Sequence, residues 1–595
     1  MNIKEFAAYL DKLENTTKRL EITSILKDMI SEMSTNEVDK GIYLSLGLLK
    51  AQFENPKFNI AEKMMVRVLE FAYKPGKERL AGLFADKGDL GDVALEVAGD
   101  TKGDGLSLTD VYNELIELAA IEGSGSQEKK VSKLSSLLIK MDKLSAKYVV
   151  RIVLGTTRLG FTELTVIDAL NSLIQGDKLT KAKIEGKYNM HPDIGVIAKK
   201  IKDSGLKGLD EVVMEIGVPI EPQRCQRLSD PVEIIEKMGC VSAEFKFDGT
   251  RVQVHMDRNK PIKSTTSDQN SLFGDNEELK GASVFVKTYT RNLEDSTYQY
   301  PDIAEAAIVQ LDAESVILDG EAVGYDKNTG DFLPFQEIMQ RKRKHNVTEY
   351  ALDIPLKYFA FDILMLNGKP LVNETLEKRR EILSKIIKPG KVIELSRNFV
   401  TDKPEELSEF FVESKTKSLE GLVVKKPDAQ YQAGARSFAW IKYKKADEAL
   451  LDDTIDVVIL GYYHGRGGRA RFGMGGFLTA VYDKATDTFK TITKVGSGLT
   501  DEQFVSLRER LDKIKIDKKP AKADVDKFFD VNVWVAPKIV VEVGADELSK
   551  SANHTAGYAL RFPRMIKIRE DRRPEDATSL EEIKSIYKNQ KRGSY

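Results

Sequence analysis

Apolar residues recur at spacings of three and four through roughly the first 215 residues, as in EVDKGIYLSLGLLKAQF and VSKLSSLLIKMDKLSAKYVVRIVLG. That period predicts amphipathic helices on a shared core. Two segments echo each other, DKGDLGDVALEVA at 86–98 and HPDIGVIAKKI at 191–201. Each sets an acidic residue, an aliphatic residue and a glycine at the mouth of a helix, which favours two copies of one helical unit over two unrelated helix starts. Between them, RIVLGTTRLGFTE (151–163) places Arg151 and Arg158 around a small-residue turn. It reads either as a glycine-capped helix end or as a loop that meets phosphates through backbone N–H groups and arginines. VPIEPQRCQRLSDP (218–231) has three prolines and no period, and reads as a linker.

From there to about residue 445 the period drops to two. VSAEFKF, RVQVHM, SVFVKTYTR, SVILDGEAVGYD, LKYFAFDILML, EGLVVKKP and FAWIKYKK read as strands, with helices such as NETLEKRREILSKII between them. After DEALLDDT (447–454) short strands dominate, in IDVVILGYY, GGFLTAVYD, FKTITKVG and NVWVAPKIVVEV, separated by glycine-rich turns. That spacing predicts a small barrel. A basic cluster and a helix follow in RFPRMIKIREDRRPEDATSLEEIKSIYKNQKR. The expected architecture is an all-α domain over 1–217, an α+β domain over 218–446 and a C-terminal β-barrel over 447–595.

A length of 595 residues suits three or four domains. With 41% apolar and 31% charged residues and no apolar run of ~20, no membrane span is expected. The N-terminal MNIKEFAAYLDKLENTTKRL is an amphipathic helix without the apolar region of a signal peptide. Cys225 and Cys240 cannot frame a disulfide scaffold, so a reduced, intracellular setting is expected. The net charge of −2 says nothing about nucleic acid; only the local distribution can. The five histidines are scattered, no Cys/His run has zinc spacing, and no G-x-x-x-x-G-K-[ST] is present, so a triphosphate is not held by a P-loop.

EFKFDGTR (244–251) raises the chemical question. Val241, Ala243, Phe245 and Phe247 alternate with Ser242, Glu244, Lys246 and Asp248, so one strand face carries two carboxylates and a lysine. A solvated strand edge with ordinary ion pairs would look the same. The other strands decide. Lys287, Tyr289 and Arg291 share a face in VKTYTR; Asp319-Gly320-Glu321 ends the strand SVIL; Glu420-Gly421 opens LVVKK; Trp440, Lys442 and Lys444 share a face six residues after Arg436. Lysines and arginines supply countercharge for a triphosphate, and Glu321 and Glu420 suit a hard divalent ion.

EFKFDGTR, TYTRNLE, LDGE, YFAFDIL, EGLVVKK and WIKYK occur in this order. The set resembles the covalent nucleotidyltransferases, and most closely the ATP-dependent DNA ligases of the archaeal and eukaryotic replicative type. The resemblance extends to both flanks: the helical region with RIVLGTTRLG is similar to that family's DNA-binding domain, and RFPRMIKIREDR to its OB-fold domain. It implies that Lys246 takes AMP from ATP as a phosphoramide. Glu244 and Arg251 would meet the adenine or ribose end, Arg291 ribose or phosphate, and Glu321 ribose or a metal. Phe361 would stack on adenine, Glu420 would hold Mg²⁺ or Mn²⁺, and Arg436 and Lys442 would hold phosphates. Nicked duplex DNA is the implied partner in replication, repair and recombination, for a monomer in the cytoplasm associated with the nucleoid. No Q-x-x-[LIM]-x-x-aromatic-aromatic stretch supports a sliding-clamp partner.

A lysine with a pKa near ~10.4 is protonated at neutral pH, so nearby cations must help it react, against Glu244 and Asp248. Trp440 reads as packing. RKRKH (341–345) reads as a solvated face or channel rim, and HGRGGRARFGMGG (464–476) as a phosphate-contacting loop or a hairpin. Two departures from the family pattern are an insertion over 265–281 and PIEPQRCQRL in place of a more apolar run. The competing readings are an RNA ligase or capping-type nucleotidyltransferase, and a non-catalytic DNA-binding scaffold.

Overall fold

The structure, a computed structural model, describes residues 1–99, 103–260, 284–333, 338, 354–417, 419–444, 454–465, 473–529, 531–545 and 547–589. The chain divides into two compact units, Met1–Lys444 and Lys445–Ser594. The first unit opens with α1 (Ile3–Glu14), α2 (Arg19–Glu32), α3 (Val38–Ser45), α4 (Glu62–Tyr73), α5 (Lys77–Lys87), α6 (Leu90–Val97), α7 (Leu108–Ala119), α8 (Ser126–Ile139), α9 (Lys143–Val153), α10 (Glu163–Leu173), α11 (Lys178–Met190) and α12 (Ile194–Ser204). One apolar core, from Ile3 to Val212, joins them.

The sequence echo is a structural repeat. Asp89 and Asp193 cap α6 and α12, each side chain accepting from the backbone N–H three residues on. The helix α6 packs on α9, and α12 on α3. Gly91 and Gly195 make these approaches possible: a Cβ there would lie 2.6 Å from the Arg151 side chain and 2.3 Å from the Tyr43 ring. Arg151 and Tyr43 both bind the capping carboxylate, Arg151 Nε to Asp89 at 2.9 Å and the Tyr43 hydroxyl to Asp193 at 2.5 Å. Both partner helices then end alike. Leu48 N donates to the Tyr43 carbonyl at 2.8 Å and Thr156 N to the Arg151 carbonyl at 2.9 Å, across Gly47 and Gly155 at positive φ. The phosphate-contact reading fails for Arg151. It is buried against Glu14, Asp89 and Asp92, whereas Arg158 stays half exposed.

The rest of the first unit runs β1 (Arg224–Leu228), α13 (Pro231–Met238), β2 (Val241–Lys246), β3 (Thr250–Asp257), β4 (Phe285–Thr290), α14 (Pro301–Gln310), β5 (Ser315–Gly324), β6 (Leu356–Leu366), β7 (Lys369–Pro370), α15 (Leu376–Ile386), β8 (Ile393–Leu395), β9 (Asn398–Thr401), α16 (Pro404–Thr416), β10 (Gly421–Lys425) and β11 (Arg436–Tyr443). One sheet has the order β1-β11-β10-β2-β9; the other has β4-β3-β5-β6-β7 with β8 on β6. The outer face of the first, including Val241, Ala243, Phe245, Leu422 and Ile441, packs on Phe410 and Phe411 of α16 and Ile234 of α13. The outer face of the second, including Val252, Val254 and Leu318, packs on Ile303 and Ala307 of α14. Ile317, Phe361, Leu364, Tyr431 and Trp440 join the inner faces.

Three sequence readings change here. The linker contains β1, a half-exposed edge strand whose polar residues gave no apolar alternation. Asp319-Gly320-Glu321 lies inside β5 rather than at its end. Gly320 serves contact, since a Cβ there would meet the Tyr358 ring at 2.4 Å. Arg291 follows the end of β4, in a turn, so it does not share the strand face of Lys287 and Tyr289. The insertion over 265–281, RKRKH at 341–345, residues 466–472 of the glycine-arginine loop and most of DEALLDDT lie outside the described residues.

His255 on β3 is fully buried. Its Nδ1 accepts from Gly217 N at 3.2 Å, and Nε2 has no partner among the described residues. Burial, aided by Lys260 and Lys287, pushes its pKa down to about 3. The unfolded chain therefore binds this proton first, near pH ~6.5, and the stability present above that pH is lost as pH falls toward the folded value. Urea unfolding at pH 5 should show a loss of about 2 kcal/mol from this group relative to neutral pH. His255→Gln should flatten that part of the curve; an unchanged slope would assign it to other groups.

The second unit contains β12 (Ile455–Tyr463), β13 (Gly476–Asp483), β14 (Thr488–Val495), α17 (Asp501–Asp512), β15 (Lys515–Ile516), β16 (Ala523–Asp524), β17 (Val533–Val535), β18 (Val540–Gly544), β19 (Glu547–Lys550), β20 (Tyr558–Arg561), β21 (Arg564–Ile568) and α18 (Leu580–Asn589). Its main sheet runs β15-β17-β12-β13-β14-β16, with β18 also on β12 and β21 on β18. NVWVAPKIVVEV splits into β17 and β18 around Pro537, which cannot donate to a ladder. Phe504 and Leu507 of α17 and Ile583 of α18 close its core over Ile455, Val457 and Phe477. No helix among the described residues of the chain is long and apolar enough to cross a membrane.

Candidate active site

Strand β2 lies inside its sheet, between β10 and β9, and Ser242 and Glu244 on its polar face are buried, so that face is not a solvated edge. The register lines up Arg227, Lys442, Val423, Glu244 and Asn398 in one row across the five strands. Residues paired across strands point to the same side, as do residues two apart along a strand. One face therefore carries Glu244, Lys246, Lys425, Trp440 and Lys442. The inner face of the other sheet brings Arg251, Asp319, Glu321 and Phe361.

Lys246 sits where β2 ends, one-quarter exposed, with Nζ on Glu420 Oε2, which also receives Lys444. Burial works against the Lys246 charge. The carboxylates of Glu420, Glu321 and Asp248 outweigh it and raise the pKa above the ordinary lysine value. Burial also works against the Glu420 carboxylate, but Lys246 and Lys444 hold its pKa well below the usual range. Glu321 is lifted by burial to about 7, against the pull of Lys246 and Arg251. Lys442 is lowered by burial and by the like charges of Lys246, Arg227 and Arg436. In the bare chain, then, Lys246 is a held ammonium, and an ammonium must shed a proton before it can act as a nucleophile.

The remaining site residues fall into two groups. Arg291, Arg436 and Lys442 have no ion-pair partner among the described residues, and Arg291 and Arg436 are exposed. Arg251 and Glu244 are committed to the protein. Arg251 donates to Asp319 through Nε at 3.0 Å and Nη2 at 2.6 Å, and to the Gln223 carbonyl at 2.6 Å. Its guanidinium lies 5.4 Å from the Phe361 ring and 5.5 Å from the Trp440 ring. Glu244 is buried and accepts through Oε1 from Lys425 at 2.8 Å and Arg380 at 3.2 Å. Phe361 meets Trp440 edge to face at 5.9 Å and has Lys425 Nζ 4.5 Å from its centroid.

Sequence reasoning missed Lys425, Arg380 and Tyr431, whose hydroxyl donates to Asp319 at 2.9 Å, and named Asp319 without its partner Arg251. A signal existed for Lys425, which alternates with Leu422 and Val424 onto the Lys246 face. Arg380 gave none, because a charged residue on a helix reads as solvated surface.

Three family matches cover most of the chain: "DNA ligase N terminus" over 2–171, "ATP dependent DNA ligase domain" over 278–444 and "ATP dependent DNA ligase C terminal region" over 470–572. A "Probable DNA ligase" of Dictyoglomus turgidum is 40% identical over 99% of this chain and 98% of its own length. This chain belongs to the ATP-dependent DNA ligases. A "DNA ligase" of Sulfurisphaera tokodaii is 34% identical, again over 99% of this chain and 98% of its own. The solved chain named "Pmar-Lig_PreS3" shares the fold at 16% identity and a TM-score of 0.53, with 95% of the ligase and 99% of that chain covered. The middle family match begins after Lys246 and Arg251, so their roles in this ligase rest on motif order and on the geometry above.

Proposed function

We propose that this ligase seals nicks in duplex DNA through a covalent AMP on Lys246. The observation that carries the reading is the placement of the Lys246 amine beside the Glu420 and Glu321 carboxylates, on the sheet face that also bears Lys442, which has no ion-pair partner among the described residues. Lys246 Nζ, once deprotonated, attacks the α-phosphorus of ATP; a P–N bond forms and pyrophosphate leaves. The 5′-phosphate of the nick then attacks that phosphorus, breaks the P–N bond and takes the AMP. The 3′-hydroxyl attacks the activated 5′-phosphate, and AMP departs. Arg291, Arg436 and Lys442 neutralise phosphate oxygens, Phe361 stacks on adenine, and Arg251 braces the pocket beneath it.

Among the described residues no three metal-ligating side chains cluster. Glu321 and Glu420 nonetheless offer hard oxygen donors beside Lys246, which fits Mg²⁺ or Mn²⁺ completing its shell from phosphate and water. Such an ion supplies charge neutralisation at the phosphates. We also assign 1–217 to duplex DNA binding, 218–446 to adenylylation and 447–595 to an OB-fold. The apolar cores that end at Val212 and start at Ile455 support this division, although Met214 and Ile216 already pack with Ile317 and Trp440 of the middle region. The paired turns around Gly47 and Gly155, with Arg158, suit a sequence-independent grip on the DNA backbone.

The test is incubation with α-labelled ATP and Mg²⁺, then denaturing electrophoresis. Label that stays on the chain and is discharged by nicked duplex DNA supports the reading; discharge by RNA ends alone would replace it with the RNA ligase.

Glu244 has a specific part in this reading. Lys425 and Arg380 both bind Oε1, and no donor meets Oε2 among the described residues. A pure acceptor is thereby presented to the nucleobase, which suits a 6-amino purine and repels a 6-oxo one. Arg380→Met should raise the KM for ATP and narrow the ATP-to-GTP preference in adenylylation by about tenfold, the worth of one charge-assisted hydrogen bond. A KM and preference equal to wild type would mean Arg380 only packs.

A further inference from the structure

The stretch that read as a linker carries an exposed cation beside Lys442. Strand β1 pairs only with β11 among the described residues, in parallel, and Arg227 stands directly opposite Lys442. Gln226 and Leu228, its neighbours, pair with Ile441 and Tyr443 on the outer, apolar side. Arg227 therefore leaves the sheet on the side of Lys442, Glu244 and Lys246. It is exposed, and no carboxylate meets it among the described residues. Arg224, three residues earlier, does have one, Glu221 at 3.6 Å. The Arg227 charge is also close enough to help lower the Lys442 pKa, although burial is the larger cause. Like charges set directly opposite on neighbouring strands are destabilising. Among the described residues the pair has no counter-ion, and Arg227, on the edge strand, is exposed to an anion from solvent.

We propose that Arg227 and Lys442 together grip the phosphate oxygens of the reacting substrate, with Arg227 as a phosphate-binding residue of the ligation reaction. This rests on the reading of Lys246 as the acceptor of AMP. The oxygens come from one of two sources: the β- and γ-phosphates of ATP, or the 5′-phosphate of the nick. A guanidinium suits either, because its planar fork binds two oxygens at once.

The experiment uses the full chain as wild type, Arg227→Gln, Arg227→Lys and Arg224→Gln. Two single-turnover rates are measured: label transfer from α-labelled ATP to the protein across ATP concentrations, and discharge of the isolated adenylated protein onto nicked DNA. Arg227→Gln should weaken one of these about tenfold, Arg227→Lys should restore most of it, and Arg224→Gln should match wild type in both. A defect in half-saturation by ATP assigns the grip to the triphosphate, and a defect in discharge assigns it to the nick phosphate. Rates for Arg227→Gln within twofold of wild type in both assays would overturn the proposal. So would a defect that Arg227→Lys does not relieve and that accompanies a lowered Tm, since that is a folding role. Absence of label on the wild-type chain would instead sink the reading of Lys246.

Discussion

Lys246→Ala is expected to leave the protein without any covalent label from α-labelled ATP, and to lower sealing of an ordinary nick by at least about 10³-fold. Two neighbouring amines are committed elsewhere: Lys425 is buried in its pair with Glu244, and Lys444 is held on Glu420. Lys442 is left for the phosphates, so Lys442→Ala should keep the label. Lys246→Arg should be equally silent, since a guanidinium does not deprotonate in a protein. The variant should still seal a nick whose 5′-phosphate already carries AMP, because that step needs the 3′-hydroxyl and the phosphate clamps but no lysine nucleophile. Loss of both activities in a folded Lys246→Ala protein would make Lys246 a binding residue. Retained labelling would mean that another amine is the nucleophile.

The strand that presents Lys246 was legible because period-two alternation names both faces of β2 at once. Its burial was not legible, because alternation does not say whether the polar face meets water or a second sheet. Strand β1 escaped for a related reason: an edge strand half in solvent has no apolar repeat to report, and its Arg, Cys and Gln composition, two residues after Pro222, resembles a loop. Asp319-Gly320-Glu321 looked like a strand end because Asp-Gly is a turn signal. Its aspartate is instead spent on Arg251 and its glycine on the Tyr358 ring. Arg151 looked available to phosphate because a sequence shows an arginine beside a turn and not the three carboxylates around it. In each case the missing information was a partner distant in sequence, while the order of the motifs and the change of period near residues 215 and 241 were local.

Asp319→Ala should cost the first unit about 3–5 kcal/mol of stability, the usual consequence of stranding one member of a buried charge pair. Asp319 is fully buried and the Arg251 side chain is 14% exposed. Removing the carboxylate leaves the guanidinium with the Gln223 carbonyl and the Tyr431 hydroxyl, neutral groups that cannot balance its charge. The effect can be read directly, because the chain has two tryptophans, Trp440 over Arg251 and Trp534 in the second unit. In a Trp534→Phe background, urea unfolding followed by Trp440 fluorescence reports the first unit alone. The midpoint should fall for Asp319→Ala and recover in part for the double variant Asp319→Leu, Arg251→Met, in which no charge is left buried. A single variant as stable as the parent would show that water reaches Arg251. A double variant no better than the single would show that the pair is held for geometry beyond its charge. On the proposed reading adenylylation should fall in both variants: Arg251 lies against the Phe361 and Trp440 rings, and Glu321 stands two residues from Asp319 on the same strand face, so loss of the pair should shift the ring proposed to stack on adenine and the carboxylate beside Lys246.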